Sequence, residues 1–360
     1  MKGFDARSGV KTLRSVLGVL LLDCCRYLKA IWGTREEYLA ICNRDEEIER
    51  NINGPGYRCK WQYTSDLHAP KIIPFLGKML IRSNLANHQI WRLARPTRET
   101  HNPDISFIIG HRGLEKLPQL IATLESIAGQ DEVTLECLVI EQDHNPCLPG
   151  NIPSWVRYLN ATPPIMNLPY CRSWAFNIGF CHAKGSVLIL HDNDILVPFD
   201  YAASVLRHIR EGFEVVNLKR FIFFLSQVHS QELLAGQTRL ISRAPEYIMQ
   251  NSEAGGSVAI TSAAYQSIGG FDEGFIGWGG EDNEFWERAQ CLKFWPYGYL
   301  PLVHLWHPNQ PGKYQPDNPT LLRYSQLSEI PVHERIARLR KLSQGQMSGP
   351  QIGTLTRELA

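Results

Sequence analysis

The stretch SVLILHDND, residues 186–194, joins an apolar run to a polar end. Two similar runs precede it, ISFIIG at 105–110 and ECLVIEQD at 136–143, and apolar residues recur at helical spacing at 117–127 and 170–182. Helices that alternate with strands in this way predict an α/β fold with an open, mostly parallel sheet. Ligands of such sheets bind beyond the carboxyl ends of the strands. We therefore expect the polar residues that follow the three apolar runs to line one functional edge of the sheet.

Two groups of residues suggest a metal ion. Asp192 and Asp194 end the stretch quoted above, and residues i and i+2 of an extended chain point the same way, so the two carboxylates can face a hard divalent cation. An acidic turn without a ligand is the simpler alternative. The segment LVHLWHP adds His304 and His307, which can reach one ion, and imidazole suits manganese better than magnesium. The pattern favours at least one histidine ligand to Mn²⁺ or another divalent cation.

The segment GWGGEDNEFWERA, residues 277–289, places two adjacent carboxylates behind an aromatic residue and two glycines. Glycine lets a backbone approach a ligand closely, and the flat face of Trp278 can stack on a sugar ring. Of the two acids, Glu281 and Asp282, one can accept a hydrogen bond from a substrate hydroxyl while the other takes its proton as general base. A helix start, where acids complement the helix dipole, is an alternative that is compatible with both roles.

Between residues 105 and 308 the chain resembles nucleotide-sugar glycosyltransferases of the GT-A fold. The motifs that carry the resemblance are YCRSWAFNIGF (170–180), Asp-Asn-Asp, the segment GGSVAITSAAYQSIGGFDEGFIGWGGED (255–282) and the histidine motif, in that order. They are most similar to the β-1,4-galactosyltransferase family and to the WGGEDNEF half of bacterial chondroitin polymerases. The resemblance implies a metal-dependent, inverting transfer of a hexose or N-acetylhexosamine from a UDP-sugar to a glycan hydroxyl.

Site residues follow from the resemblance position by position. Asp282 matches the catalytic base, with Glu281 and Trp278 as acceptor and donor-sugar contacts. Asp194 and His307 match the metal ligands, and His304 stands where a Met commonly serves. The resemblance and the glycine loop give the expected donor-sugar contacts, which are Glu253, Gly255, Gly256, Gly279 and Gly280. The resemblance and the polar strand ends give the expected nucleotide contacts, which are His111, Arg112, Glu141, Tyr170, Arg172, Asn177 and Asp192.

Two departures from the family pattern leave the donor open. The first strand ends in Gly-His-Arg-Gly rather than Phe-Arg-Asn-Arg, and Glu253 stands at a donor-selecting position that is usually uncharged. A retaining enzyme is a second interpretation, because polypeptide N-acetylgalactosaminyltransferases also carry Trp-Gly-Gly-Glu. They have Asn at the position of Asp282, so the carboxylate favours inversion. A catalytically inactive nucleotide-sugar or glycan-binding module is a third interpretation, and it would require a missing base or metal ligand.

Charge and cysteine usage bear on partners and location. Residues 1–100 hold 17 Lys and Arg against 10 Asp and Glu, whereas the rest of the chain holds 20 against 26. This basic bias is too dilute for a nucleic-acid footprint. It suits an anionic membrane surface or a lipid-linked phosphate, and an ordinary solvated face is the alternative. The nine scattered cysteines favour a reducing compartment.

The same features divide the chain into three predicted regions. Residues 11–32 have the apolar stripe of a helix, which either docks on the protein or lies on a membrane. They belong to an N-terminal extension at 1–100, followed by the GT-A domain at 101–312 and a helical tail at 313–360. With no signal peptide or membrane-spanning run in the sequence, we expect a bacterial cytoplasmic enzyme. It would sit at the inner face of the membrane and build a surface polysaccharide such as capsule or O-antigen on a lipid-linked acceptor.

Overall fold

The computed structural model describes residues 13–33, 36–96, 101–308, 317–342 and 345. Its strands, numbered in chain order, are β1 (Ile48–Arg50), β2 (Tyr57–Cys59), β3 (Ser65–Asp66), β4 (Ile105–His111), β5 (Leu135–Glu141), β6 (Arg157–Asn160), β7 (Val187–His191), β8 (Ile195–Leu196), β9 (Val215–Val216), β10 (Lys219–Phe224), β11 (Tyr247–Gln250), β12 (Ser257–Thr261), β13 (Phe294–Trp295) and β14 (Leu300–His304). Its helices are α1 (Cys24–Trp32), α2 (His68–Ile72), α3 (Pro74–Asn87), α4 (Leu117–Ala128), α5 (Arg172–His182), α6 (Tyr201–Arg210), α7 (Gln227–Leu234), α8 (Ser262–Ser267), α9 (Glu281–Ala289), α10 (Pro319–Ser328) and α11 (Val332–Leu339).

The chain forms two compact units, each built from separate segments. The first unit comprises the described residues of Met1–Ile90, Leu218–Ser252 and Pro296–Trp306, and the second those of Trp91–Asn217, Glu253–Trp295 and His307–Ala360. The boundaries drawn from the sequence, at 1–100, 101–312 and 313–360, stay predictions about domain organisation.

The second unit is built on a seven-stranded sheet in the order β13-β9-β12-β7-β4-β5-β6. Strands β7, β4, β5 and β6 run parallel, whereas β12 runs antiparallel to both β7 and β9. The parallel strands are near-continuous apolar runs, and every residue of β4, β5 and β7 is buried. Near-continuous apolar sequences are typical of parallel strands that are covered on both faces of the sheet. The predicted α/β class with a mostly parallel sheet is therefore confirmed.

One helix of the second unit ties the sheet to the later motifs. Helix α5 packs on β4 and β5, and its buried Phe176 contacts Phe271 at a ring-centroid distance of 5.2 Å. Phe271 also stacks on Phe285 of α9, with centroids 4.2 Å apart. This aromatic contact fixes the helix of the 277–289 segment against the helix of the 170–180 motif.

The first unit has a smaller mixed sheet. Within it β3, β11, β10 and β14 are neighbours in that order, with β10 parallel to β14 and antiparallel to β11, and β1 pairs with β2 as a separate hairpin. Arg220 on β10 is 2% exposed and donates to the carbonyl oxygens of Leu39 and Ile41. The buried guanidinium therefore holds the N-terminal segment to the sheet through hydrogen bonds.

The predicted N-terminal helix is present in the described residues 13–32, while residues 11–12 lie outside them. A π-helical turn, Val19–Asp23, precedes α1. Asp23 is buried and receives the guanidinium of Arg44, with a shortest contact of 2.6 Å, whereas Leu21 and Leu22 are 74% and 61% exposed. One face is thus anchored to the unit and the other is apolar and open to solvent. Among the helices in the described ranges, none is both long and apolar enough to cross a bilayer.

Candidate functional site

Three parallel strands of the second unit end at one edge. His111 closes β4 opposite Glu141, which closes β5, and β7 ends at His191, opposite Ile109 of β4. The segments that follow β4 and β7 carry Arg112, Asp192 and Asp194 of the predicted site residues. The three strands thus end at one edge of the sheet, as the sequence pattern predicts.

Two of the predicted nucleotide contacts have their polar atoms bonded within the protein. His111 is buried; its Nε2–H donates to the carbonyl of Gly113 (2.7 Å), and its Nδ1 accepts from the side-chain amide of Asn193 (2.9 Å). Burial lowers the pKa of His111, so the neutral imidazole is favoured. Burial alone would raise the pKa of Glu141, but hydrogen bonds from the following loop and from the Tyr158 hydroxyl outweigh it and lower the pKa. Both side chains order the loops at this edge.

Arg112 and Tyr170 form a second predicted nucleotide pair. Arg112 donates to the carbonyl oxygens of Gln142 (2.6 Å) and Leu168 (2.7 Å), and its guanidinium carbon lies 5.8 Å from the centre of the Tyr170 ring. A Cβ atom on Gly110 would stand 2.0 Å from the Tyr170 hydroxyl oxygen. The glycine in the Gly-His-Arg-Gly departure therefore allows this tyrosine to lie against the end of β4.

The Asp-Asn-Asp segment is a turn between β7 and β8, so the extended geometry expected for Asp192 and Asp194 is wrong. Asp192 Oδ1 accepts from a terminal nitrogen of Arg172 at 2.6 Å, whereas Asp194 Oδ2 accepts from Lys116 Nζ at 2.9 Å. Because β8 begins directly after the motif, the chain must bend there, and the two carboxylates face different cations.

The predicted metal ligands supply a suitable set of donor atoms. His307 Nε2 lies 3.2 Å from Oδ2 of Asp194, and His307 Nδ1 donates to the Pro308 carbonyl (2.7 Å), so Nε2 is the ring nitrogen that would face a metal bound by Asp194. His304 is the last residue of β14 in the first unit, where its ring stacks on Phe224 at 4.3 Å. Within the second unit, one carboxylate oxygen of Asp194 and one imidazole nitrogen of His307 can contribute to holding a metal ion. This mixture of oxygen and nitrogen donors suits Mn²⁺.

Arg172, at the start of α5, joins two parts of the site that are far apart in sequence. Its guanidinium bonds Asp192 and also contacts Asp282 Oδ1 through the other terminal nitrogen, with Glu281 Oε1 3.8 Å away. These three carboxylates outweigh the cost of burial and hold the pKa of Arg172 well above its ordinary value. Its guanidinium carbon also lies 4.6 Å from the centre of the Phe176 ring, which fixes its position further.

The glycine loop begins α9 and sets the two adjacent acids in different surroundings. Gly280 takes the N-cap position of α9 with φ +85°, and a Cβ there would stand 2.8 Å from Tyr324 Cβ, so glycine is required. Glu281 is buried and accepts from the N–H of Gly279 (3.1 Å), while Asp282 keeps 27% of its side chain exposed. Burial and the neighbouring charge of Asp282 raise the pKa of Glu281 to about 7. Adjacent acids with unlike surroundings are suited to unlike roles.

The remaining predicted sugar contacts lie around this loop. Gly255 approaches Asp282, because a Cβ on it would be 3.3 Å from Asp282 Oδ2, and Gly256 adopts φ +86°. The indole of Trp278 is 37% exposed, as a stacking residue requires. Glu253 Oε2 accepts from the indole N–H of Trp286 on α9 at 2.8 Å.

One predicted nucleotide contact is buried within the core. Asn177 donates to Phe271 O and Glu273 Oε1 and accepts from the Tyr265 hydroxyl (2.6 Å). It lies among core residues of the second unit, and both the oxygen and the nitrogen of its side chain are bonded to protein groups. The roles assigned from the resemblance to Asn177 and to the other site residues stay predictions.

Two features of the site were missed from the sequence. Lys116 lies beside Asp194, but a single lysine before a helix carries no motif. The second is the bridge that Arg172 forms between Asp192 and Asp282, since the sequence predicted only a nucleotide contact for Arg172. The signal that could have shown it is the single arginine of the YCRSWAFNIGF motif, set against the acids of two other motifs.

Residues 238–294 match the family model described as the N-terminal domain of galactosyltransferase. The matched region contains Glu253, both glycines of the 255–256 pair and the whole 277–289 segment with Glu281 and Asp282. No curated protein sequence matches the chain.

Several solved structures are similar to the chain. The catalytic domain of Drosophila β1,4-galactosyltransferase 7 with xylobiose is 14% identical, with a TM-score of 0.37, over 61% of this chain and 79% of that one. GalNAc-T7 with UDP, GalNAc and Mn²⁺ is 20% identical, with a TM-score of 0.45, over 65% and 50% of the respective chains. The mannosyltransferase PcManGT from Pyrobaculum calidifontis with GDP-Man and Mn²⁺ is 13% identical, with a TM-score of 0.38, over 79% and 88%.

The match to the galactosyltransferase family model, which covers the glycine loop and α9, confirms the resemblance to glycosyltransferases that the sequence motifs indicate. The match of residues 238–294 to a galactosyltransferase family model supports a glycosyltransferase activity for the chain.

Proposed function

We propose that the protein transfers a hexose or N-acetylhexosamine from a UDP-sugar to a glycan hydroxyl with inversion at the anomeric carbon. The observation that carries the proposal is the bridge made by Arg172. It joins Asp282, the candidate base, to Asp192 of the motif that also supplies the metal ligand Asp194. This bridge supports a site in which the proton acceptor for the incoming hydroxyl lies beside the binding site for the leaving diphosphate.

The residues divide the reaction between them. A divalent ion held by Asp194 and His307 would neutralise charge on the departing UDP. Asp282 takes the proton of the acceptor hydroxyl as that oxygen attacks the anomeric carbon, and Arg172 orients its carboxylate. The buried Glu281 forms a hydrogen bond with a hydroxyl of the acceptor glycan, and the exposed face of Trp278 stacks on the sugar ring.

The function can be tested by incubating the protein with a panel of UDP-sugars and measuring UDP release. We expect one donor to be turned over in the presence of Mn²⁺, and activity to disappear in excess chelator and return when Mn²⁺ is restored. Asp194→Asn is the matched negative control, because it removes the charge of one ligand while preserving its size. Full activity in chelator would contradict the metal role, and no turnover or binding of any UDP-sugar would contradict the proposed function.

We further propose that the first unit binds an anionic membrane, which would bring the enzyme to a lipid-linked acceptor of a surface polysaccharide at the cytoplasmic face. Support comes from the helix over residues 13–32, which exposes Leu17, Leu21 and Leu22 by 48%, 74% and 61% beside basic side chains. Exposed apolar residues flanked by positive charge are typical of interfacial helices.

Liposome flotation tests the membrane contact. We expect the wild type to float with vesicles that contain phosphatidylglycerol, and the double variant Leu21→Ser/Leu22→Ser to remain in solution. Ile52→Ser is the matched control, because Ile52 is 90% exposed in the same unit but lies outside the helix. Equal flotation of all three proteins would make this helix face irrelevant to membrane binding.

A further inference from the structure

A lysine side chain forms an ion pair with Asp194, the candidate metal ligand. Lys116 lies just before α4, and its ammonium nitrogen is 2.9 Å from Oδ2 of Asp194. The same carboxylate oxygen is the one that lies 3.2 Å from His307 Nε2. The contact is well enclosed, with the side chains of Lys116 and Asp194 only 20% and 5% exposed.

An ammonium group and a divalent ion cannot both bind Oδ2 of Asp194 closely at the same time. Both are cations, and at such distances in a partly buried site their repulsion is strong. Metal binding through Asp194 therefore requires the ammonium to move away. Arg172 cannot take its place, because it is already bonded to Asp192 and Asp282.

We propose that Lys116 competes with the divalent ion for Asp194 and transfers to a phosphate oxygen of the donor when ion and donor bind together. This inference rests on the proposed function. A lysine carries a compact charge with three donors on a flexible stem, so a short movement can carry it from the carboxylate to a phosphate that lies beside the ion. Lys116 is thereby a donor-binding residue that also opposes metal binding while the donor is absent.

This arrangement couples the two ligands. The donor supplies a new partner for the ammonium and frees Asp194, so it increases metal affinity. By thermodynamic reciprocity, the metal increases donor affinity by the same factor. Removing the lysine should strengthen the binding of metal alone, weaken the binding of donor and reduce the coupling.

Calorimetric titration tests the inference without any measurement of activity. Mn²⁺ alone and UDP at saturating Mn²⁺ are titrated into the wild type and into Lys116→Met, with correction for the Mn²⁺–UDP complex in solution. We expect Lys116→Met to bind Mn²⁺ alone about tenfold more tightly and UDP about tenfold more weakly, as loss of a charge-assisted hydrogen bond implies. Lys184→Met is the matched control. Lys184 is exposed and precedes the start of β7, whereas Asp194 follows the end of β7, so this variant should leave both affinities unchanged.

The outcomes separate the two levels of the proposal. Unchanged or weaker binding of Mn²⁺ alone by Lys116→Met, with normal binding by the wild type, overturns the role of Lys116 and leaves the proposed function standing. A wild type that binds neither Mn²⁺ nor UDP overturns both. If Lys116→Met melts at a much lower temperature than the wild type, Lys116→Gln provides the same charge removal with a polar side chain and must show the same pair of opposite changes.

Discussion

Replacement of Asp282 by Asn is expected to lower the rate of sugar transfer by about 10²–10⁴, the usual loss when a general base is removed. Asparagine preserves the size of the side chain and its place at the start of α9, but it cannot take a proton from the acceptor hydroxyl. The measurement is kcat for transfer to the best acceptor, with UDP affinity determined in parallel. Donor and metal binding should survive, because they depend on Asp194 and the histidines.

Asp131→Asn is the matched control for this substitution. It makes the same change from carboxylate to amide in the same unit, before the amino end of β5 and away from the site edge. It should transfer sugar at the wild-type rate. If Asp282→Asn also transfers at that rate, another residue is the base. If it instead loses its folded structure, the acid serves mainly to begin the helix.

Replacement of Arg288 by Met is expected to reduce the free energy of unfolding by about 3–5 kcal/mol, the cost of removing one member of a buried ion pair. Glu284 would keep its contact with Arg335 at 3.3 Å but would lose all its bonds to Arg288. Arg288 is 0% exposed on α9; it bonds both carboxylate oxygens of Glu284 and donates to the carbonyl oxygens of Ile268 and Gly270 at 2.6 Å each. Methionine fills the space but leaves these acceptors buried. Because α9 begins with Glu281 and Asp282, this network also holds the two candidate catalytic acids in place.

Urea unfolding measures the effect of Arg288→Met. Arg92→Met is the matched control, because Arg92 pairs with Glu125 in the same unit while both side chains are 30% exposed. Partly exposed pairs contribute only about 0–1 kcal/mol. A loss below about 1 kcal/mol for Arg288→Met would show that the buried pair is as weak as a surface pair.

The central strands were predictable because their sequence pattern is local. β4, β5 and β7 are apolar runs of strand length between turn signals, and these runs fix which strands are buried. The far flank of the sheet beyond β12 was not predictable, because β9 and β13 have only two residues each and show no alternation. Pairing partners determine such short strands, and those partners lie far away in the chain.

The site shows the same division between local and long-range information. Residue types and their order indicated a carboxylate base and an Asp/His metal set, because each motif is short. The contacts between motifs could not be predicted, since Arg172 and Asp282 are 110 positions apart and Lys116 and Asp194 are 78 apart. Only the folded sheet brings these pairs together, and it also turns Asp192 and Asp194 toward different cations.

The most direct test of the central claim, a single displacement with Asp282 as base, is the anomeric configuration of the product. Proton NMR of the glycan formed from an α-linked UDP-sugar distinguishes the two configurations through the coupling constant of the anomeric proton. Attack by a hydroxyl that Asp282 deprotonates predicts a β-linked product. An α-linked product would show retention of configuration and contradict the single-displacement role of Asp282.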